Sequence, residues 1–187
     1  MTLQLTLQSN FKFEFAFGKI AQGKEMQLFG EYFPAIAPLI AEYGNQQVGT
    51  FAIIASNIKG SAPEMGAFTH WVSEEKYKAF YSDPRFIKVK TLRDDSLDLF
   101  SEGHFFNSSD HSFEVSTELD YAVVISKAEL IGLTPMFNLQ LENDSPKQTY
   151  IGQSITLSLW DDHADKLLAA SLADTEVFRI RFNAPTS

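Results

Sequence analysis

Cysteine is missing from this 187-residue chain. Without it there is no disulfide, no thiolate nucleophile and no Cys-ligated metal, although its absence does not fix a compartment. Basic residues are few: 15 Lys and Arg stand against 24 Asp and Glu, for a formal net charge of -9 and a pI near 4.8. Such a surface repels phosphate backbones and anionic lipid, so neither nucleic acid nor a membrane surface is an expected partner. No uncharged apolar run approaches the roughly 20 residues of a membrane span. The opening MTLQLTLQSN lacks the basic region and the continuous apolar run of a secretory signal, and the expectation is a cytoplasmic protein. The four His are scattered, with no His-x-x-x-His spacing, and give no metal-site signature. There is no nucleophile triad and no phosphate loop. No cofactor is expected on these grounds.

What the chain does have is phenylalanine, 17 residues of it in a composition that is 44% hydrophobic and 21% charged. This is enough apolar mass for a real core, and the core or a cavity should be rich in aromatic rings. Phe11, Phe13, Phe15 and Phe17 alternate with Lys12, Glu14 and Ala16, and Leu3, Leu5 and Leu7 alternate with Thr and Gln. Both runs have the period of two that marks a half-buried strand, with Ser9-Asn10 as a hairpin turn between them. Residues 24–43 carry apolar positions at helical spacing from Phe29 to Tyr43. Pro34 and Pro38 predict a kink near Tyr32-Phe33, and Gly44 is a C-terminal stop.

The best-organised stretch is Gly66–Phe106. Strands are read at 47–56 and 65–72, with a polar loop between them. The second places Phe68 and His70 on one face and Ala67, Thr69 and Trp71 on the other. Ser73 caps a helix whose first turn carries Glu74 and Glu75. Asp83-Pro84 ends it, a second helical piece runs to about Ser96, and LDLFSEGHFF (97–106) is a strand. Residues 1–108 therefore read as an α+β unit in the β-α-β-β-α-β, or ferredoxin-like, order. Residues 109–120, polar and Ser-rich, read as a linker. YAVVIS (121–126), FNLQLEN (137–143), SITLSLW (154–160) and EVFRIRF (176–182) are four further strands, with a helix at 161–171 capped by Asp161 or Asp162. This makes 121–187 a second, degenerate ferredoxin-like unit, whose first helix has only KAELIGL (127–133) to form from.

YFPAIAPLIAEYG, Gly60 in the loop, GAFTHWVSEEKYKAFYSDPRF and the downstream Arg93 resemble small uncharacterised members of the dimeric α+β barrel superfamily. The resemblance runs from about Tyr32 to Asp98; the second half matches only by pattern. It implies two ferredoxin-like antiparallel sheets packed face to face. They would pair either within the chain or across a homodimer. It also implies a cleft between each sheet and its covering helices or loops. Superfamily members include cofactor-independent monooxygenases, isomerases, haem-handling enzymes and ligand-sensing domains, so a shared fold does not fix one reaction.

Seven residues are candidates for a site. His70 and His104 are potential bases, His104 with Glu102 two positions away on the same strand face to orient it; a core or surface histidine is the plain alternative for each, and haem binding through either stays open. Arg93 could hold a carboxylate, or pair with Asp94, Asp95 or Asp98. Tyr32, Tyr43, Trp71 and Tyr81 could wall an aromatic pocket, or simply pack. The expected function is binding of a small apolar or aromatic ligand in an aromatic-lined cleft, with monooxygenase- or isomerase-like chemistry there. A non-catalytic ligand-sensing or dimerisation module is the alternative.

Overall fold

The computed structural model describes residues 1–106, 110–127, 132–140, 152–170 and 172–185, with the side chains of all of these but 99–106. The phenylalanine alternation makes the first long strand. It follows β1 (Thr2–Leu7) and is β2 (Lys12–Ile20). Phe13, Phe15 and Phe17 turn to one face and are buried, yet Lys12 and Glu14 on the other face are buried as well. β2 is thus covered on both sides, where alternation alone predicts one wet face. The cause is topology: β2 lies inside the sheet, and helices lie over its outer face.

Between β2 and the next strand a π-helical turn, Gln27–Tyr32, runs straight into α1 (Phe33–Glu42). The change of pitch falls at the expected Tyr32-Phe33 point. Pro34 sits in the first turn of α1, where its missing N–H costs little, and the wider turn before it makes room for its ring. Gly44 ends the helix at φ 72°, a backbone conformation open to glycine at little cost. β3 (Asn45–Ser56) and β4 (Met65–Trp71) follow, then α2 (Glu74–Ser82), α3 (Pro84–Ser96) and β5 (Leu97–Phe106). Ser73 caps α2 by accepting from the Lys76 N–H at 3.2 Å, and Asp83 caps α3 by accepting from the Arg85 N–H at 2.7 Å.

The later strands are β6 (His111–Ser116), β7 (Tyr121–Ser126), β8 (Pro135–Gln140) and β9 (Ser154–Leu159), then α4 (Asp162–Ala170) and β10 (Thr175–Phe182). Of the segment expected to form a short helix, residues 128–131 lie outside the described residues, as do 141–143 of the strand expected at 137–143.

Eight strands make one sheet, in the order β5-β2-β4-β3-β10-β7-β9-β8. Counted within itself, each half has the order 4-1-3-2, that of a ferredoxin-like unit. The halves join through the antiparallel β3–β10 ladder, in which Phe51 stands opposite Phe182. The sheet rolls up until the edge strands β5 and β8 come together. The Phe13 and Phe137 rings then meet at 5.8 Å and those of Phe17 and Phe178 at 4.7 Å. Within this one chain the first half thus packs face to face on the second, and the enclosed space is filled by an aromatic and aliphatic core.

Two expectations are corrected. β1 does not form a hairpin with β2; it pairs antiparallel with β6, Leu5 opposite Phe113. The segment 109–120 is therefore more than a linker, because it contains β6. Phe113 and Val115 alternate with Ser112, Glu114 and Ser116, and together with Leu3, Leu5 and Leu7 they pack on the barrel core. Burying that apolar edge outweighs the turn-forming tendency of the serines.

Candidate functional site

β4 divides the predicted residues between its two faces. Phe68 and His70 point into the barrel, whereas Thr69 and Trp71 point outward under the helices. The outer layer is a second aromatic cluster in which Tyr32, Trp71, Tyr77 and Phe80 are buried, with Tyr43 and Tyr81 packed against them. Trp71 lies 4.8 Å from Phe80, and Tyr77 lies 4.7 Å from Tyr81, ring to ring.

At the centre of this layer is Glu14, only 7% exposed. Its Oε2 accepts from the Trp71 indole N–H at 2.6 Å and from the Thr69 hydroxyl at 3.0 Å, and its Oε1 accepts from the Tyr81 hydroxyl at 2.9 Å. A carboxylate taken out of water needs such partners, and here two come from β4 and one from α2, brought to β2 by the fold. Lys12, two residues earlier and on the same strand face, is fully buried with its ammonium 4.8 Å from the centre of the Tyr77 ring.

Arg93 reaches the layer from α3. It is 8% exposed, pairs with the outlying Asp94 at 2.8 Å, and lies 5.8 Å from the Phe86 ring centre. Burial works against its charge, but the Asp94 hydrogen bond and the neighbouring Tyr32 hold its pKa above the ordinary value. Burial is also the main force on Tyr32, whose hydroxyl is pushed up to about 12 against the opposing pull of Arg93. It is therefore a neutral hydroxyl at physiological pH.

The structure thus brings Tyr32, Trp71, Tyr81 and Arg93 into one layer. Tyr43 packs at its rim, its hydroxyl donating to Asp83 at 2.8 Å and so tying α1 to the α2–α3 junction. His70 is separate, 2% exposed on the barrel side and flanked edge-on by Phe11 and Phe13. Burial lowers its pKa to about 4. His70 and Arg93 therefore lie on opposite sides of the sheet, so the two do not converge on one ligand atom. His104 takes the ladder position opposite Glu14; its side chain and that of Glu102 lie outside the described residues. Among the described residues no cluster of three His, Asp or Glu could hold a metal ion, and no helix is long and apolar enough to cross a membrane.

Lys12, Glu14, Thr69 and Tyr77 escaped the sequence reading. A usable signal existed. In a β-α-β-β-α-β unit the first strand is internal and roofed by helices, so the polar positions of that strand belong beneath them.

No family model matches the chain, and no curated protein matches it. Among solved structures it is similar to an anthrone oxidase-like protein, with a TM-score of 0.56 at 10% identity, over 97% of this chain and 95% of that one. The chain has the ferredoxin-like α+β barrel fold. It is also similar to a dimeric protein with a ferredoxin-like fold from Bacteroides fragilis NCTC 9343, TM-score 0.40 at 7% identity, over 54% of this chain and 100% of that one. A mutant chlorite dismutase from Candidatus Nitrospira defluvii superposes with a TM-score of 0.47 at 10% identity, over 96% of this chain and 93% of that one. At such identities the likeness concerns the fold alone.

Proposed function

We propose that this α+β barrel binds a small apolar or aromatic ligand between the outer face of β2 and β4 and the helices above it, and acts on it without a cofactor in the manner of a monooxygenase or isomerase. Residues 1–108 and 121–187 are then two copies of one unit, the first of which carries the site; their common strand order supports this. The observation that carries the reading is the Glu14 carboxylate, buried among aromatic rings and held by Trp71, Thr69 and Tyr81. Glu14 itself is enclosed, but Tyr81 is only half-buried. Its hydroxyl oxygen can take a proton from a ligand while its own proton passes to Glu14, and Arg93 with the Tyr32 hydroxyl would hold the anion so formed.

A thermal-shift panel of aromatic acids, lactones, quinones and haem tests this. One class should raise the midpoint of the wild type, and Tyr81→Phe should remove most of that rise. Oxygen uptake without added cofactor would then be measured with that class. The reading fails if no class shifts the wild type, or if Tyr81→Phe and Glu14→Gln respond as the wild type does.

The second reading is a non-catalytic module that senses a ligand or holds a homodimer together. It draws on the outer side of the π-turn and α1, where Met26, Phe29 and Phe33 are 76%, 53% and 43% exposed and the rings of Phe29 and Phe33 stack at 5.7 Å. Light scattering of the wild type and Phe29→Glu decides it: a dimer that becomes a monomer favours the module, and a monomeric wild type rejects the homodimer.

A further inference from the structure

His70 is a buried polar group that the outer-layer site does not use. Its Nε2 has no hydrogen-bond partner, and the residue is 2% exposed. Buried polar atoms are nearly always satisfied, so one that is not calls for a reason. Its ladder neighbours are Phe13 on β2 and Gln46 on β3. Phe13 and Phe11 both meet the imidazole edge-on, at 5.7 and 5.8 Å.

The two phenylalanines differ. Phe13 is fully buried within β2, while Phe11 is half-buried and precedes the strand. It follows Asn10, which has a φ of 66°, in a turn closed by the Phe11 N–H donating to the Gln8 carbonyl at 3.3 Å. Its ring can therefore swing outward without disturbing a strand ladder.

We propose that His70 is the polar contact of a second ligand site, at the mouth of the barrel, for a neutral aromatic molecule bearing one hydroxyl group, whose ring takes the place against His70 that Phe11 now holds. The edge-on contact shows that an aromatic ring fits there. A hydroxyl both donates and accepts, so it satisfies Nε2 in either tautomer of a neutral imidazole. The rings on either side favour a neutral ligand over an anion. Burial keeps the imidazole itself uncharged down to about pH 4. The site lies on the opposite face of the sheet from Glu14 and stands independently of the reading above.

The test uses 1-naphthol, with naphthalene as the probe lacking a hydroxyl, and follows the imidazole nitrogens of the whole protein by NMR. 1-Naphthol should shift the His70 Nε2 resonance and bind roughly three- to tenfold tighter than naphthalene, the worth of one net hydrogen bond. Phe11→Ala should bind both probes more tightly. His70→Phe, which replaces the unsatisfied nitrogen by an apolar ring, should melt no lower than the wild type and lose the preference for 1-naphthol. Glu14→Gln should leave the His70 shift unchanged, which separates this site from the outer layer. An unmoved His70 resonance at the solubility limit of 1-naphthol overturns the proposal, and so does an unaltered preference in His70→Phe. The wild-type resonance decides the matter even if a variant fails to fold.

Discussion

The indole N–H of Trp71 donates to the Glu14 carboxylate at 2.6 Å across the β2–β4 ladder, and both side chains are buried. Trp71→Phe removes the donor and keeps most of the apolar volume, and Glu14→Gln removes the charge. In a double-mutant cycle read by urea unfolding, the pair should show a coupling of about 1.5–3 kcal/mol, the range for hydrogen bonds to charged groups. Additive losses would mean that the contact contributes nothing of its own.

Acid should weaken this protein partly through one imidazole. His70 has a folded-state pKa near 4 against 6.5 when free, so between those values the unfolded chain takes up the proton more readily. The contribution is complete above pH 6.5 and is lost as pH falls toward 4, on the order of 3 kcal/mol in all at about 1.4 kcal/mol per pH unit. Denaturant melts of the wild type and His70→Phe from pH 7.5 to 4 should diverge by that amount. Parallel curves would refute it.

Gly66 lies beneath the rings of Phe51 and Phe17, and a Cβ there would clash with both. Rings wedged in a filled core have little room to retreat. Gly66→Ala should destabilise the fold by about 1–3 kcal/mol, seen as a lower denaturation midpoint with an unchanged slope.

The Phe17–Phe178 contact at 4.7 Å joins the two halves. Phe178→Ala should cost about 3–5 kcal/mol, and its coupling to Phe17→Ala should be about 0.5–1.5 kcal/mol. Unfolding should remain a single transition by fluorescence and circular dichroism. Two separate transitions would show that the halves are stable apart.

Much of the first half was legible because its signals are local. Ser73, Asp83-Pro84 and Gly44 mark boundaries by their own backbone chemistry, and the alternation from Ala67 to Trp71 assigns faces without any knowledge of the partner strand. The failures are of another kind. Phe113 and Val115 are too few to outweigh the serines around them until the Leu3–Leu7 edge is in place, and that edge comes from the far side of the sequence. Lys12 and Glu14 look like solvent-facing residues until helices are laid over β2. The convergence of Thr69, Trp71 and Tyr81 on one carboxylate likewise depends on strand order and helix placement, which no short window of sequence contains.

The β3–β10 ladder has a consequence for the protein's synthesis. β3 emerges from the ribosome early and pairs with β4 on one edge, but its partner on the other edge is the last strand of the sheet to be made. Until β10 has been made, the β3 edge and the Phe51 and Phe68 rings beside it have no cover from the second half. A nascent chain in that condition is open to association with its neighbours, so yield in the cell should depend on chaperone supply and on translation speed through the second half.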